Sequence, residues 1–167
     1  TVLPGNCVNR FTITRTWSVQ DDCGNTTQRI QVINVNDNIA PTLIGAPAQP
    51  SVVNVSCAQN VPAAAVVTAT DNCGAAVNVV YTEERVPGTC AKRLTIKRTW
   101  TAEDICGNKS VATQTVNVDD TTAPGWVEAA PATPLNFTCA TQVPAVPVQT
   151  ATDNCGVPVI VDFSETV

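Results

Sequence analysis

Eight cysteines and no histidine define the chemistry open to this 167-residue chain. They stand at Cys7, Cys23, Cys57, Cys73, Cys90, Cys106, Cys139 and Cys155, and no two form a Cys-x-x-Cys pair. Structural zinc is held by closely spaced thiolates and imidazoles, so this pattern argues against zinc. An even cysteine count at regular spacing, in a chain with few aromatics, points to disulfides and an oxidising compartment. The second available chemistry is acidic. Asp37, flanked by Asn36 and Asn38, and the pair Asp119 and Asp120 lie in short polar segments ahead of Pro41 and Pro124. Carboxylates and carbonyls clustered there, with Asp71, Asp104 and Asp153 from neighbouring loops, could hold calcium, which takes about six to eight hard oxygens. Asp and Asn in such segments also hydrogen-bond their own turns, which is the alternative reading. Without histidine, no Ser-His or Cys-His device is possible within these residues. The carboxylate pairs Asp21-Asp22, Glu83-Glu84 and Glu103-Asp104 are adjacent turn residues with nothing to separate their pKa values. An enzyme is not expected.

The same landmarks recur. Thr68-Ala69-Thr70-Asp71-Asn72-Cys73-Gly74 returns as Thr150-Ala151-Thr152-Asp153-Asn154-Cys155-Gly156. Arg15-Thr16-Trp17 returns as Arg98-Thr99-Trp100, and Cys23-Gly24-Asn25 as Cys106-Gly107-Asn108, with an offset of 82 or 83 residues throughout. A period this long marks duplicated domains rather than a solenoid turn. The boundary segment is Val118–Pro124, matched by Val35–Pro41, where proline ends a strand and stiffens the link. The expected domains are therefore residues 1–38, the C-terminal half of one repeat; 39–121, a complete repeat; and 122–167, the N-terminal half of the next. The chain is close to two periods long, which suggests a window on a longer tandem array.

The elements that must position these residues are strands. Twenty-six Val and 24 Thr supply β-branched bulk, while aromatics make up only 4%. Leu94, Ile96, Arg98, Trp100 and Ala102 alternate with polar Thr95, Lys97, Thr99 and Thr101, and Phe11, Ile13, Arg15, Trp17 and Val19 repeat the pattern. That is period two, one face buried and one wet. Further strands are expected over 51–56, 65–70, 77–83 and 111–118. Short strands broken by Pro, Gly and Asn-Asp turns, with no amphipathic helix, predict an all-β fold of antiparallel sandwiches. Trp17 and Trp100 belong to the core on this reading, with Arg15 and Arg98 laid along the rings. Trp126, just past a linker proline, is expected at an interdomain contact.

Strand direction constrains the cysteines. If the Asp71–Gly74 turn lies at the top of the domain, Cys57 and Cys90 fall at the bottom and Cys73 and Cys106 at the top. A strand of about twelve residues spans roughly 40 Å, far beyond the roughly 7 Å between disulfide Cα atoms, so Cys90–Cys106 is disfavoured. The expected pairs are Cys57–Cys90 and Cys73–Cys106. Cys7, Cys23, Cys139 and Cys155 would then pair with cysteines of adjacent copies. The alternative, neighbour with neighbour, would satisfy all eight within the 167 residues.

The combined motif Arg98–Asn108 and Val116–Pro124 resembles the HYR-like immunoglobulin-type repeats of large Bacteroidota cell-surface and gliding-associated adhesins. The resemblance runs through both copies, although Asn36-Asp37-Asn38-Ile39 replaces Asp119-Asp120-Thr121-Thr122 in the first. It implies tandem immunoglobulin-like antiparallel β-sandwich domains with two disulfides each, on the bacterial cell surface, in adhesion or filament formation. The Asn36–Pro41 segment also resembles the calcium-binding linker of cadherins. Asp120-Thr121-Thr122 resembles the O-glycan acceptor motif of secreted Bacteroidota proteins, with Thr121 as acceptor. No cofactor is required on this reading, and calcium at the linkers is the one candidate. Partners are further copies of the repeat, as tandem or polymerised units, with glycans or other cells reached through regions outside this chain. The net charge of −5 and the lack of a basic cluster argue against nucleic acid. No apolar run is long enough for a spanning helix, so membrane insertion is not expected. Two other readings remain: a pilin-like subunit completed by half-domain exchange, and an immunoglobulin-like module that grips glycans or a partner.

Overall fold

The computed structural model describes residues 1–74, 76–90, 92–131, 133–156 and 158–166. These fold as an all-β protein with antiparallel sheets and two disulfides. Its strands are β1 (Val2–Pro4), β2 (Arg10–Gln20), β3 (Thr26–Asn36), β4 (Thr42–Ile44), β5 (Val52–Val55), β6 (Thr68–Thr70), β7 (Val79–Pro87), β8 (Leu94–Glu103), β9 (Lys109–Val118), β10 (Gly125–Trp126) and β11 (Ala151–Thr152). Single 3-10 turns occur at Ala58–Asn60 and Ala140–Gln142. No helix among the described residues is long and apolar enough to cross a membrane.

Residues 1–38 form the sheet β1-β2-β3. Here β2 and β3 pair antiparallel along their whole length, from Arg10 opposite Asn36 to Gln20 opposite Thr26. The central repeat carries a four-stranded sheet in the order β5-β9-β8-β7 and a separate pair β4-β6. The backbone bonds Thr115 N–H to Ser51 O (2.9 Å) and Asp119 N–H to Val55 O (3.0 Å) advance in the same direction along both chains. Strand β5 therefore lies parallel to β9, an exception to the expected antiparallel pattern. Residues from 122 onward contribute the short pair β10-β11.

The alternation expected of β8 is present. Ile96, Arg98, Trp100 and Ala102 are buried, and Ala112, Val116 and Val118 of β9 join them. Trp100 lies 5.3 Å from the Tyr81 ring, centroid to centroid. Its indole N–H donates to the Ala65 carbonyl at 3.2 Å, so its polar edge is satisfied inside the core. Arg98, buried on the same face, donates to Glu83 (3.2 Å) and to Gln114 (3.1 Å). A buried guanidinium needs such partners to offset its desolvation. Trp17 departs from expectation: it is 55% exposed. Among the described residues, β1-β2-β3 has no second sheet assigned to it, so the face that covers Trp100 in the complete repeat has no counterpart over Trp17.

Two compact units divide the chain. One contains Thr1–Val53, Ala63–Arg85 and Ile96–Thr115; the other contains Asn54–Pro62, Val86–Thr95 and Val116–Val167.

Candidate functional site

The chemistry concentrates where consecutive repeats meet, and each such cluster lies within one of the two units. In the first unit, Asp104 builds the turn after β8. Its Oδ1 accepts the Cys106 and Asn108 amides at 2.8 and 2.9 Å, and its Oδ2 accepts the Asn108 side chain at 2.7 Å. Burial works against the charged form, but these bonds from Asn108, Cys106 and Gly107 outweigh it and hold the carboxyl below its usual range. Gly107 closes the turn at φ 84°, a left-handed conformation that disfavours any residue with a Cβ. The turn presents Cys106, which is bonded to Cys7 with Cα atoms 5.1 Å apart. In the second unit, the Asp153–Gly156 turn presents Cys155. It is bonded to Cys57, Cα to Cα 5.2 Å.

This pairing corrects the expected one. Cys57 is bonded to Cys155 rather than Cys90, and Cys106 to Cys7 rather than Cys73; Cys23, Cys73, Cys90 and Cys139 are free thiols at exposed positions. Lateral spacing is the reason. Cys57 follows β5 at one edge of the four-stranded sheet, while Cys90 lies in the β7–β8 connection at the other edge. Neighbouring strands are about 4.8 Å apart, so two to three intervals exceed the roughly 7 Å a disulfide can span. Cys73 follows β6, which is in a different sheet from β8 and Cys106. Each bond instead spans 98 or 99 residues, more than one period, and so joins one copy of the repeat to the next.

The acidic residues divide into two sets. Asp37, Asp71 and Cys73 place one potential ligand atom each within 4.8 Å of one another, and Asp120, Asp153 and Cys155 do the same. The two trios are equivalent in the repeat. Asp37 Oδ1 accepts the Ile39 amide and Asp120 Oδ1 the Thr122 amide; Asp71 Oδ1 accepts the Cys73 amide and Asp153 Oδ1 the Cys155 amide. Asp37 is buried, and the second oxygens of Asp37 and Asp71 are buried without a hydrogen-bond partner. The Asp37 carbonyl is gripped by Arg10, through Nε at 3.1 Å and Nη2 at 2.8 Å, and by Asn108 Nδ2 at 3.3 Å. Asn36, Asn38 and Asn72 line a cavity of about 150 Å³ beside Asp37 and Cys73. Desolvation of the sulfur, then its hydrogen bond to Asp37, then the charges of Asp37, Asp71 and Asp104 push the Cys73 thiol up, even though the residue as a whole is exposed. A thiol held in its neutral form is a poor metal ligand, so the carboxylates are the stronger donors. In the second trio Cys155 is already a disulfide.

The remaining expected ligands lie elsewhere. Asp104 is spent on its turn, and Asp119 forms an ion pair with Arg93 at 2.6 Å. Asn38 is exposed. Thr121 is exposed and lines a cleft of about 700 Å³ with Asn54, Arg93 and Asp119. Trp126 is 65% exposed and pairs with Ala151 in β10-β11.

Residues 46–118 match the family of the HYR-like domain with 4 cysteines. The matched span covers β5 to β9 and four cysteines, Cys57, Cys73, Cys90 and Cys106. No match was found among curated proteins or among solved structures. The HYR-like domain and the two disulfides together indicate a secreted or surface protein.

Proposed function

We propose that this chain is a structural segment of an extracellular filament or adhesin stalk on a bacterial cell surface, built from tandem immunoglobulin-like HYR repeats and lacking catalytic activity. The observation that carries this reading is the disulfide register. Bonds spanning 98 and 99 residues tie repeat to repeat, which suits a rod that must resist extension. A covalent staple at the joint limits how far the link between domains can stretch, whereas a staple inside each domain would leave that link free. The test is surface display. Antibodies raised against the chain should label fibres projecting from intact cells of the source organism, and protease added to intact cells should remove the label. Label found only after cell lysis sinks this reading.

Calcium fits the same joints. Asp37 with Asp71, and Asp120 with Asp153, pair carboxylates at equivalent points of successive repeats, and the unpartnered oxygens of the first pair suit a hard cation completed by water. Extracellular sites of this kind bind at about 10⁻⁴–10⁻³ M. Binding to the folded state alone then raises the melting temperature by several degrees in about 5 mM calcium. Asp37→Asn combined with Asp120→Asn should abolish that rise. An unchanged melting curve for the parent chain in calcium and in chelator removes the cation from the joint.

A further inference from the structure

The two disulfides interlock along the chain. Cys57 lies inside the span that Cys7–Cys106 closes, and Cys106 lies inside the span that Cys57–Cys155 closes. The bonded cysteines thus mark off three backbone segments of nearly equal length: Cys7 to Cys57, Cys57 to Cys106, and Cys106 to Cys155. A covalent route exists around each of them. With the first segment broken, Cys7 still reaches Cys57 through Cys106. With the second broken, Cys57 reaches Cys106 through Cys155 or through Cys7. With the third broken, Cys155 reaches Cys106 through Cys57. Breaks in two different segments make three pieces, and the two bonds still join all three. Staples confined to single repeats would instead leave each linker between repeats as a lone covalent thread.

Backbone and bonds differ in how far they can be reached. Proteases nick exposed segments that lie outside strands and helices. Each of the three segments contains one. Asn38 and Ile39 are exposed in the first, Gly88 and Thr89 in the second, and residues 121–124 in the third, all outside the strands. The sulfurs lie deeper. Cys57, Cys106 and Cys155 are only 3%, 8% and 9% exposed. A thiolate must reach a sulfur before it can exchange with it, so each bond has at least one shielded end. The turns that present Cys106 and Cys155 are closed by their own aspartates, with amide bonds of 2.8 Å to Asp104 and to Asp153. Their geometry is local and does not depend on an intact linker.

We infer that the interlocked bonds give this chain a function beyond limiting extension: it stays covalently continuous after proteases cut its backbone. One cleavage anywhere between Cys7 and Cys155, or one in each of two different segments, releases no piece. Each cleavage adds one water across a peptide bond, leaving a carboxylate and an amine, and touches neither disulfide. The product is therefore heavier than the parent by one water per cut. Such tolerance suits a secreted or surface protein, whose linkers meet proteases and whose disulfides meet little reductant. Continuity follows from the bond pattern alone, so its test is separate from that of surface display.

The test inserts a recognition sequence for a site-specific protease between Asn38 and Ile39, between Thr122 and Ala123, or at both points of the full chain. The oxidised protein, its free thiols alkylated, is cut to completion and analysed in denaturant by electrophoresis and intact mass, with and without reductant. Without reductant, each of the three proteins is expected to remain one covalent species containing every residue. With reductant, each single insertion gives two fragments and the double insertion gives three. Release of residues 1–38 or 123–167 without reductant overturns the inference. The control is Cys57→Ser/Cys155→Ser, in which cleavage after Thr122 frees residues 123–167 without reductant. Attachment that persists there reveals a bridge other than Cys57–Cys155 and also overturns the inference. The readout is covalent and taken in denaturant, so a variant that folds poorly still releases its fragment or retains it.

Discussion

Replacing Cys155 with serine destabilises its unit by about 4–5 kcal/mol, because the bond it removes closes a loop of 98 residues. Chain entropy is the reason. The unfolded chain regains the freedom that the cross-link denied it, and the gain grows with the logarithm of loop length. Against a typical domain stability of about 5–15 kcal/mol, this is roughly a quarter or more of the total. Cys57→Ser has the same effect, and the double variant costs no more than either single one, since all three remove one bond. Denaturant titration followed by tryptophan fluorescence measures it, with oxidised and reduced parent protein as the outer limits. Cys90→Ser in monomeric protein leaves the midpoint unmoved. The opposite ranking, with Cys90→Ser costly and Cys155→Ser silent, would restore a staple inside the repeat and remove the joint from the account.

Trp100→Ala costs about 3–5 kcal/mol. Trp100 is 1% exposed, meets the Tyr81 ring at a tilt of 44°, and satisfies its indole N–H on the Ala65 carbonyl. Truncation leaves a large cavity beside Tyr81 and strands the Ala65 carbonyl, and few other aromatics are available to compensate. Trp17→Ala, at the equivalent position of the first copy, stays within about 0.5 kcal/mol in the monomer, as for surface substitutions generally. One residue type at one repeat position thus gives two outcomes set only by what covers it. The paired measurement is the shift in denaturation midpoint. A large loss at Trp17 in dilute monomeric protein would show that its face is covered after all.

Much of this architecture is legible along the chain. The alternation from Leu94 to Ala102 marks β8 and its buried face, because a strand turns every second side chain the same way. The recurrence of Asp-x-Cys-Gly marks four equivalent turns, because only glycine readily takes the left-handed conformation that closes them. The parallel pairing of β5 with β9 carries no such signature, since period two is the same whichever way a neighbour runs.

The sequence by itself determined the all-β class, the 82- to 83-residue repeat, the core face of β8, and that cysteines in this pattern form disulfides. Tertiary structure alone decided which cysteines meet and which acidic residues converge. Bonding requires Cα atoms within about 7 Å, and that depends on the lateral order β5-β9-β8-β7 and on which copy's turn lies beside which edge. Spacing along a chain fixes the end of a strand at which a residue lies. It does not fix how many strands lie between it and a possible partner.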